Sequence, residues 1–308
     1  MTTPLRLVGV PGHGTEDVVV TEDGTVYTGT DDGAVHALAP GGASTRVVGN
    51  TGGRPLGLEL LADGRLLVCD AHHGLLALDP RDGALETLVD AVDGRPMVFC
   101  NNAAVAADGG IWFSDSSTLF GIEQWRRDFA QNTRTGRLLH RDPDGTVKVV
   151  LDGLAFANGV ALAADESYVA VAETAARTVV RVWLSGPRAG ERDLLCSDLP
   201  GYPDNIARGS DGLIWISIPS GTDAVVERVL KAPVLLRRLL SYLPAVLQPQ
   251  PKREVRVLAC DDEGTLVHDL DADATSFHMV TGVREHDGQV WLGSLEESAV
   301  GVISLSGD

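Results

Sequence analysis

The chain is short of positive charge, of cysteine and of aromatic residues. Against 43 Asp and Glu it carries only 25 Lys and Arg, a formal net charge of -18 over 308 residues. Such a surface is repelled by a phosphate backbone, which argues against broad nucleic-acid binding. Four cysteines, Cys69, Cys100, Cys196 and Cys260, stand far apart and form no CxxC pair. Zinc knuckles are therefore not expected, and free thiols in a reducing compartment are. No run approaches the roughly 18 apolar residues of a membrane span. The opening MTTPLRLVGVPGHG lacks a charged region followed by an apolar run, so no secretory leader is read there. A cytoplasmic location is the expectation. An apolar fraction of 44% with 22% charged residues excludes a disordered chain.

Glycine is abundant instead, at 35 residues, and it punctuates a repeat. VVVTEDGTVYTG, LELLADGRLLVCD, AAVAADGGIWFSD, VALAADESYVAVAET, IARGSDGLIWIS and GVREHDGQVWLG share one plan. Each is a short strand, an acidic turn usually ending in Gly, and a second β-rich strand. Asp-Gly between two such runs is a strong hairpin signal, because it tolerates positive φ. The turn acids Asp23, Asp63, Asp108, Asp165, Asp211 and Asp287 follow one another at 40, 45, 57, 46 and 76 residues. Six units with room for four strands each predict an all-β, six-bladed propeller spanning 1–308 as one domain. A pair of β-sandwiches would not account for the six-fold recurrence. The last unit ends near Leu305, one strand short. PLRLVGV at the N-terminus is expected to supply that strand, since an unclosed ring leaves two open edges.

The first strand of each propeller blade lines the central channel. Counting seven residues back from each turn acid reaches Glu16, Leu56, Asn101, Asn158, Asp204 and Val280. Four of the six carry side-chain oxygens, although strands disfavour Asn and Asp. The next positions are Asp17, Gly57, Asn102, Gly159, Asn205 and Thr281. Equivalent residues of different blades converge on the axis. Carboxylates and amide oxygens gathered there suit Ca²⁺, which takes six to eight oxygens, and no soft ligand joins them.

The stretch from GLAFANGVALAADES to GYPDNIARGSDGLIWIS resembles the strictosidine synthase-like proteins, as do FCNNAAVAADGGIWFSDSS and EHDGQVWLGSL. These belong to a wider superfamily of six-bladed calcium propellers with the SMP-30 gluconolactonases, paraoxonases and diisopropyl fluorophosphatase. The resemblance implies calcium ligands at Glu16, Asn101, Asn158 and Asp204, the positions already reached by counting, with Asn205 as an added contact. It also implies that Asp204 serves as ligand and as base or nucleophile. Two departures stand out. The glutamate used by the plant alkaloid-forming enzyme falls on Thr281, and a histidine of the fluorophosphatase-like members falls near Leu295.

Calcium at a channel mouth polarises a carbonyl or phosphoryl oxygen and orients water. The expected activity is calcium-dependent hydrolysis of a lactone or related ester, with a small-molecule substrate. Two alternatives are a biosynthetic enzyme that condenses, cyclises or rearranges a natural product, and a non-enzymatic propeller with structural calcium. His72, after the second strand of blade two, and His278, before the first strand of blade six, are candidate bases because imidazole is the side chain best suited to proton transfer. Asn102 and Thr281 are expected in the substrate pocket.

Two insertions interrupt the repeat. Residues 220–254 in blade five show apolar positions at helical spacing, broken by Pro233 and Pro244 into two short helices. Six of the 25 basic residues lie within it. It is read as a lid or pocket wall. The other readings are a membrane-surface or homo-oligomer contact, and simple packing on the outer blade. GIEQWRRDFAQNT, 121–133, is a shorter insertion in blade three whose Trp125 and Phe129 are candidates to face the pocket.

Overall fold

The acidic turns fold as their chemistry dictates. The carboxylate of Asp23 accepts a hydrogen bond from the backbone of Thr25. The same bond to the residue two ahead recurs at Asp63, Asp108, Asp165 and Asp211. Each such turn reverses the chain between the first and second strands of a blade. The computed structural model describes residues 3–244 and 247–305. The expected 220–254 insertion includes 245 and 246, and the expected domain 1–308 includes two N-terminal and three C-terminal residues, which lie outside the described residues.

Among the described residues six four-stranded antiparallel sheets result, five of them with their strands in sequential order. Blade one spans 18–50, blade two 55–89, blade three 100–154, blade four 157–196 and blade five 206–272. Blade six takes three strands from 280–304 and its fourth from Arg6–Gly9, which pairs antiparallel with Ala299–Ser304. The ring is closed by the N-terminal strand, as the missing-strand argument required. Apolar faces of neighbouring blades pack on each other: Val8, Val18, Val26, Trp291 and Val302 join blades six and one.

The first strands carry the feature that builds the site. In blades two, three, four and six the ladder slips between Pro55 and Leu58, Cys100 and Ala103, Ala157 and Val160, and Val280 and Val283. A bulge places consecutive side chains where a regular strand would not. Each bulge encloses one residue of an upper ring and one of a lower ring. In blades one and five the corresponding pairs, Glu16–Asp17 and Asp204–Asn205, stand just before the strands Val18–Val20 and Ile206–Arg208.

Blade six corrects the seven-residue count. Its hairpin is tighter, with His286 opposite Gln289 and Asp287 at φ 50°. One residue fewer in the turn moves the ring position from Val280 to Thr281. Val280 is fully buried among blade-five and blade-six core residues.

The lower ring is therefore Asp17, Gly57, Asn102, Gly159, Asn205 and Gly282, polar and glycine in alternation. A Cβ on Gly159 would sit 2.0 Å from Ile206 N, and one on Gly282 2.6 Å from Asp17 Cα. The polar neighbour occupies the space that each glycine leaves.

The insertions form short helices on the face where the upper ring opens. Helix α1, Trp125–Gln131, follows the second strand of blade three. Helices α2, Ala224–Leu230, and α3, Val234–Ser241, lie between the second and third strands of blade five. Asp223 caps α2 by accepting from Val225 N and Val226 N. Pro233 separates the two helices. The outer side of this insertion leaves Leu235 and Leu239 exposed.

Candidate functional site

A cavity of about 320 Å³ lies between the upper ring and the three helices. Glu16, Leu56, Asn101, Asn158, Asp204 and Thr281 form its floor, one residue from each blade. The polar members are held in defined orientations. Asn101 Nδ2 donates to Ser116 Oγ at 2.9 Å, and Ser116 in turn donates to Ala157 O. Asn158 Nδ2 donates to Thr174 Oγ1 at 3.2 Å. With both amide nitrogens engaged, the amide oxygens are the ends left over. Asn101 Oδ1, Asn158 Oδ1 and Glu16 Oε2 are buried and have no hydrogen-bond partner. Buried polar atoms are seldom left so, and three together on one cavity floor require an explanation.

The carboxylates carry the same signature. Burial pushes the Asp204 carboxyl up to about 7, partly offset by the Asn158 side chain. Glu16 is also raised well above its ordinary value, by burial first and then by the charges of Asp17 and Asp204. Arg54 and Asn205 Nδ2 oppose that rise. The local charge pattern is thus acceptors with too few donors. A hard cation removes both anomalies, since it coordinates orphan oxygens and favours the ionised carboxylates. Among the described residues no group of three or more His, Cys, Asp and Glu side chains is arranged to hold a metal. The floor has two carboxylates, and its other side-chain oxygens are the amides of Asn101 and Asn158 and the hydroxyl of Thr281, a donor set for a hard cation rather than zinc.

The lower ring lies beneath the cavity. Asp17 Oδ2 accepts from Leu58 N and from Asn102 Nδ2, and Asn102 Oδ1 accepts from Val160 N. Asn102 stitches blades one, three and four together and does not line the cavity, contrary to its assignment to the substrate pocket. Asn205 touches Glu16 from below, and its own Oδ1 is buried without a partner. Thr281 does line the cavity, with its hydroxyl donated to Glu16 O.

The two candidate histidines lie elsewhere. His72 pairs with Glu123 at 2.6 Å on an exposed surface. His278 is enclosed by Glu296, Glu297 and Arg253. Neither lines the cavity. Trp125 and Phe129, by contrast, both belong to its wall. Phe129 meets Tyr202 edge-to-face at 5.1 Å, and Tyr202 reaches α2 through Glu227. Gln131 of α1 donates to Ser241 of α3. Residues from two blades thus form one roof.

Counting missed part of the wall. Phe99, Phe156, Tyr202 and Met279 stand two residues before Asn101, Asn158, Asp204 and Thr281, and all four line the cavity. That constant offset was present in the repeat. Ser116 and Thr174, which orient the two amides, follow the second strands of blades three and four.

A family model described as SMP-30/Gluconolactonase/LRE-like region matches residues 18–231. The chain is 34% identical over 267 residues to strictosidine synthase-like protein 10 of Arabidopsis thaliana, covering 82% of this chain and 70% of that protein. It is 33% identical over 323 residues to the adipocyte plasma membrane-associated protein of Rattus norvegicus, covering 95% and 84%. Among solved structures, a gluconolactonase from Xanthomonas campestris superposes with a TM-score of 0.72 at 16% identity, covering 99% of this chain and 90% of that one. Regucalcin from Agrobacterium tumefaciens, described as a calcium-binding protein, superposes at 0.66 and 13% identity, covering 96% and 93%. At those identities the structural likeness establishes the fold. No helix among the described residues is long and apolar enough to cross a membrane.

Proposed function

The chain belongs to the SMP-30/gluconolactonase/LRE-like family, and from that premise we propose that it is a calcium-dependent hydrolase of a lactone or related ester. One observation carries the reading. Glu16 Oε2, Asn101 Oδ1 and Asn158 Oδ1 are buried acceptors without donors, and they share a cavity floor with Asp204. The neighbour described as calcium-binding supports the choice of ion.

Glu16, Asn101, Asn158 and Asp204 hold the ion, with Asn205 supporting Glu16 from below. A bound Ca²⁺ would supply Lewis-acid polarisation of the substrate carbonyl. The chain does the rest. Ser116 and Thr174 keep the amide oxygens turned to the floor. The apolar wall excludes bulk water, so charges at the floor act through a low dielectric. Asp204 orients the attacking water and receives its proton. The water oxygen bonds to the carbonyl carbon, the carbon–oxygen bond of the ester breaks, and the proton passes to the leaving oxygen. Asp204 is a weak base when paired with a cation, so position contributes much of the rate. A condensing activity would need a proton carrier on the first strand of blade six, where Thr281 has committed its hydroxyl to Glu16 O.

The test is a panel of lactones, esters and phosphotriesters, assayed with calcium and with chelator. Lactone or ester turnover is expected with calcium alone, and Asp204→Asn should abolish it. Full activity in metal-stripped protein, or unchanged turnover in that variant, overturns the reading.

A further inference from the structure

We infer that the substrate is lipophilic: an alkyl-substituted lactone or ester whose hydrocarbon part lies under the helical roof, and not a polyhydroxylated sugar lactone. This rests on the hydrolase reading for the reaction, but its basis is the wall, not the floor.

The wall is apolar from several directions. Phe99, Phe156 and Met279 rise from the blades next to the floor. Helix α1 adds Trp125 and Phe129, and α2 adds Val226, Val229 and Leu230. Leu240 of α3 closes the roof, with Leu243 and Leu247 beyond it. The aromatic members hold each other in place, Phe99 against Phe156 edge-to-face at 5.5 Å. At about 320 Å³ the cavity is near the lower limit for small-molecule sites, about 300–1,000 Å³.

Polar side chains in the wall each make at least one hydrogen bond within the protein. Asp223 caps α2. Tyr202 donates to Glu227. Ser241 donates to Arg238 O and accepts from Gln131. Ser220 accepts from Lys252 N, and Gln248 donates to Leu243 O. Arg126 donates to Gln250. Among the described residues that line the cavity, the buried acceptors without a partner are on the floor, where the reacting group must sit. A sugar ring entering here would remove several hydroxyls from water and find few partners for them, which is unfavourable. An alkyl chain faces the opposite balance, because each buried methylene gains hydrophobic free energy.

Hydrolysis of such a lactone consumes one water and yields the open-chain hydroxy acid.

The experiment measures binding apart from turnover. Unreactive lactams with 5-alkyl chains of increasing length, and gluconolactam as the polar counterpart, are titrated calorimetrically into calcium-loaded protein. Affinity is expected to rise about fourfold per methylene until the cavity is full, with gluconolactam binding weakly or not at all. Val229→Asn and, separately, Leu240→Gln should reduce the gain per methylene, and circular dichroism checks that each variant folds. Equal or tighter binding of gluconolactam, or affinity independent of chain length, overturns the inference. If the alkyl lactams bind as expected but no lactone or ester is hydrolysed, the hydrolase reading fails and the ligand class stands.

Discussion

Asn205 Nδ2 donates to Glu16 Oε1 at 3.2 Å across 189 residues of sequence. The bond joins the entry to blade five with the entry to blade one. It engages one oxygen of Glu16 and leaves Oε2 buried without a donor. Glu16, Asn101 and Asn158 are thus braced alike: one end of each side chain is tied to the scaffold, and the other oxygen is left without a donor.

Loosening a brace should weaken the ion site without unfolding the blade. Thr174→Val keeps the shape of the side chain and removes the acceptor for Asn158 Nδ2. The amide is then free to turn its nitrogen toward the floor. Loss of such an outer partner costs about 10–100-fold in metal affinity. Isothermal titration with Ca²⁺ should give a reduction in that range, with thermal stability in chelator changed little. Unchanged affinity would mean that Asn158 is not a ligand.

Protonation should oppose the ion. Burial raises Asp204 from 3.8 to about 7 and Asp17 to about 6. A raised carboxyl stabilises the folded state below its unfolded pKa, and that contribution is lost as pH rises through the folded value. In chelator the Asp204 contribution therefore declines between about pH 4 and 7. His36 and His140, whose pKa values burial lowers, act in the opposite sense, so the useful quantity is the difference from Asp204→Asn. The variant should gain stability relative to wild type as pH rises from 5 to 8. Calcium affinity of the wild type should rise over the same window, because binding releases protons. Melting curves in chelator at several pH values, beside calcium titrations, would expose a flat response.

The glycine of blade four has no room to change. A methyl at Gly159 would meet Ile206 N at 2.0 Å and Asn205 C at 2.5 Å. These are backbone atoms of the neighbouring blade and cannot rotate away. Gly159→Ala should destabilise by about 1–3 kcal/mol or more, the cost of overpacking, while Gly64→Ala has open space but a left-handed φ of 86°. Chemical denaturation would separate the two causes. A Gly159→Ala protein as stable as wild type would show that the blades separate more easily than their packing implies.

Ring closure should depend on the N-terminal strand. Val8 is buried at the blade six–blade one junction. Deleting 4–10 would expose the edge of Ala299–Ser304, which then becomes a template for pairing with other chains. The expected result is aggregation on size-exclusion chromatography, with a lowered midpoint for any soluble fraction. A monodisperse protein with an unchanged midpoint would argue that the strand is dispensable.

Much of this was legible along the chain because turns and strand alternation are local. Asp23, Asp63, Asp108, Asp165 and Asp211 share one turn contact, so a fixed count from them found Glu16, Asn101, Asn158 and Asp204 on the floor. The count failed where the local rule changed: the tighter turn at Asp287 put Thr281, not Val280, in the ring. It also could not separate Asn101 from Asn102. Adjacent residues in a bulge face different levels, and only the pairing of Cys100 with Asp115 and Ala103 with Phe113 defines that bulge.

By itself, then, the sequence determined the six-fold repeat and five of the six floor positions, since both follow from spacing within a blade. Tertiary structure decided which neighbours surround that floor. His72 and His278 have suitable chemistry but are paired with carboxylates away from the cavity. Trp125, Phe129, Val229 and Leu240 come from blades three and five and meet over the axis. Spacing along one chain reports what recurs within a blade. It does not report where segments about a hundred residues apart converge, because that depends on the ring closing and on helices packing across it.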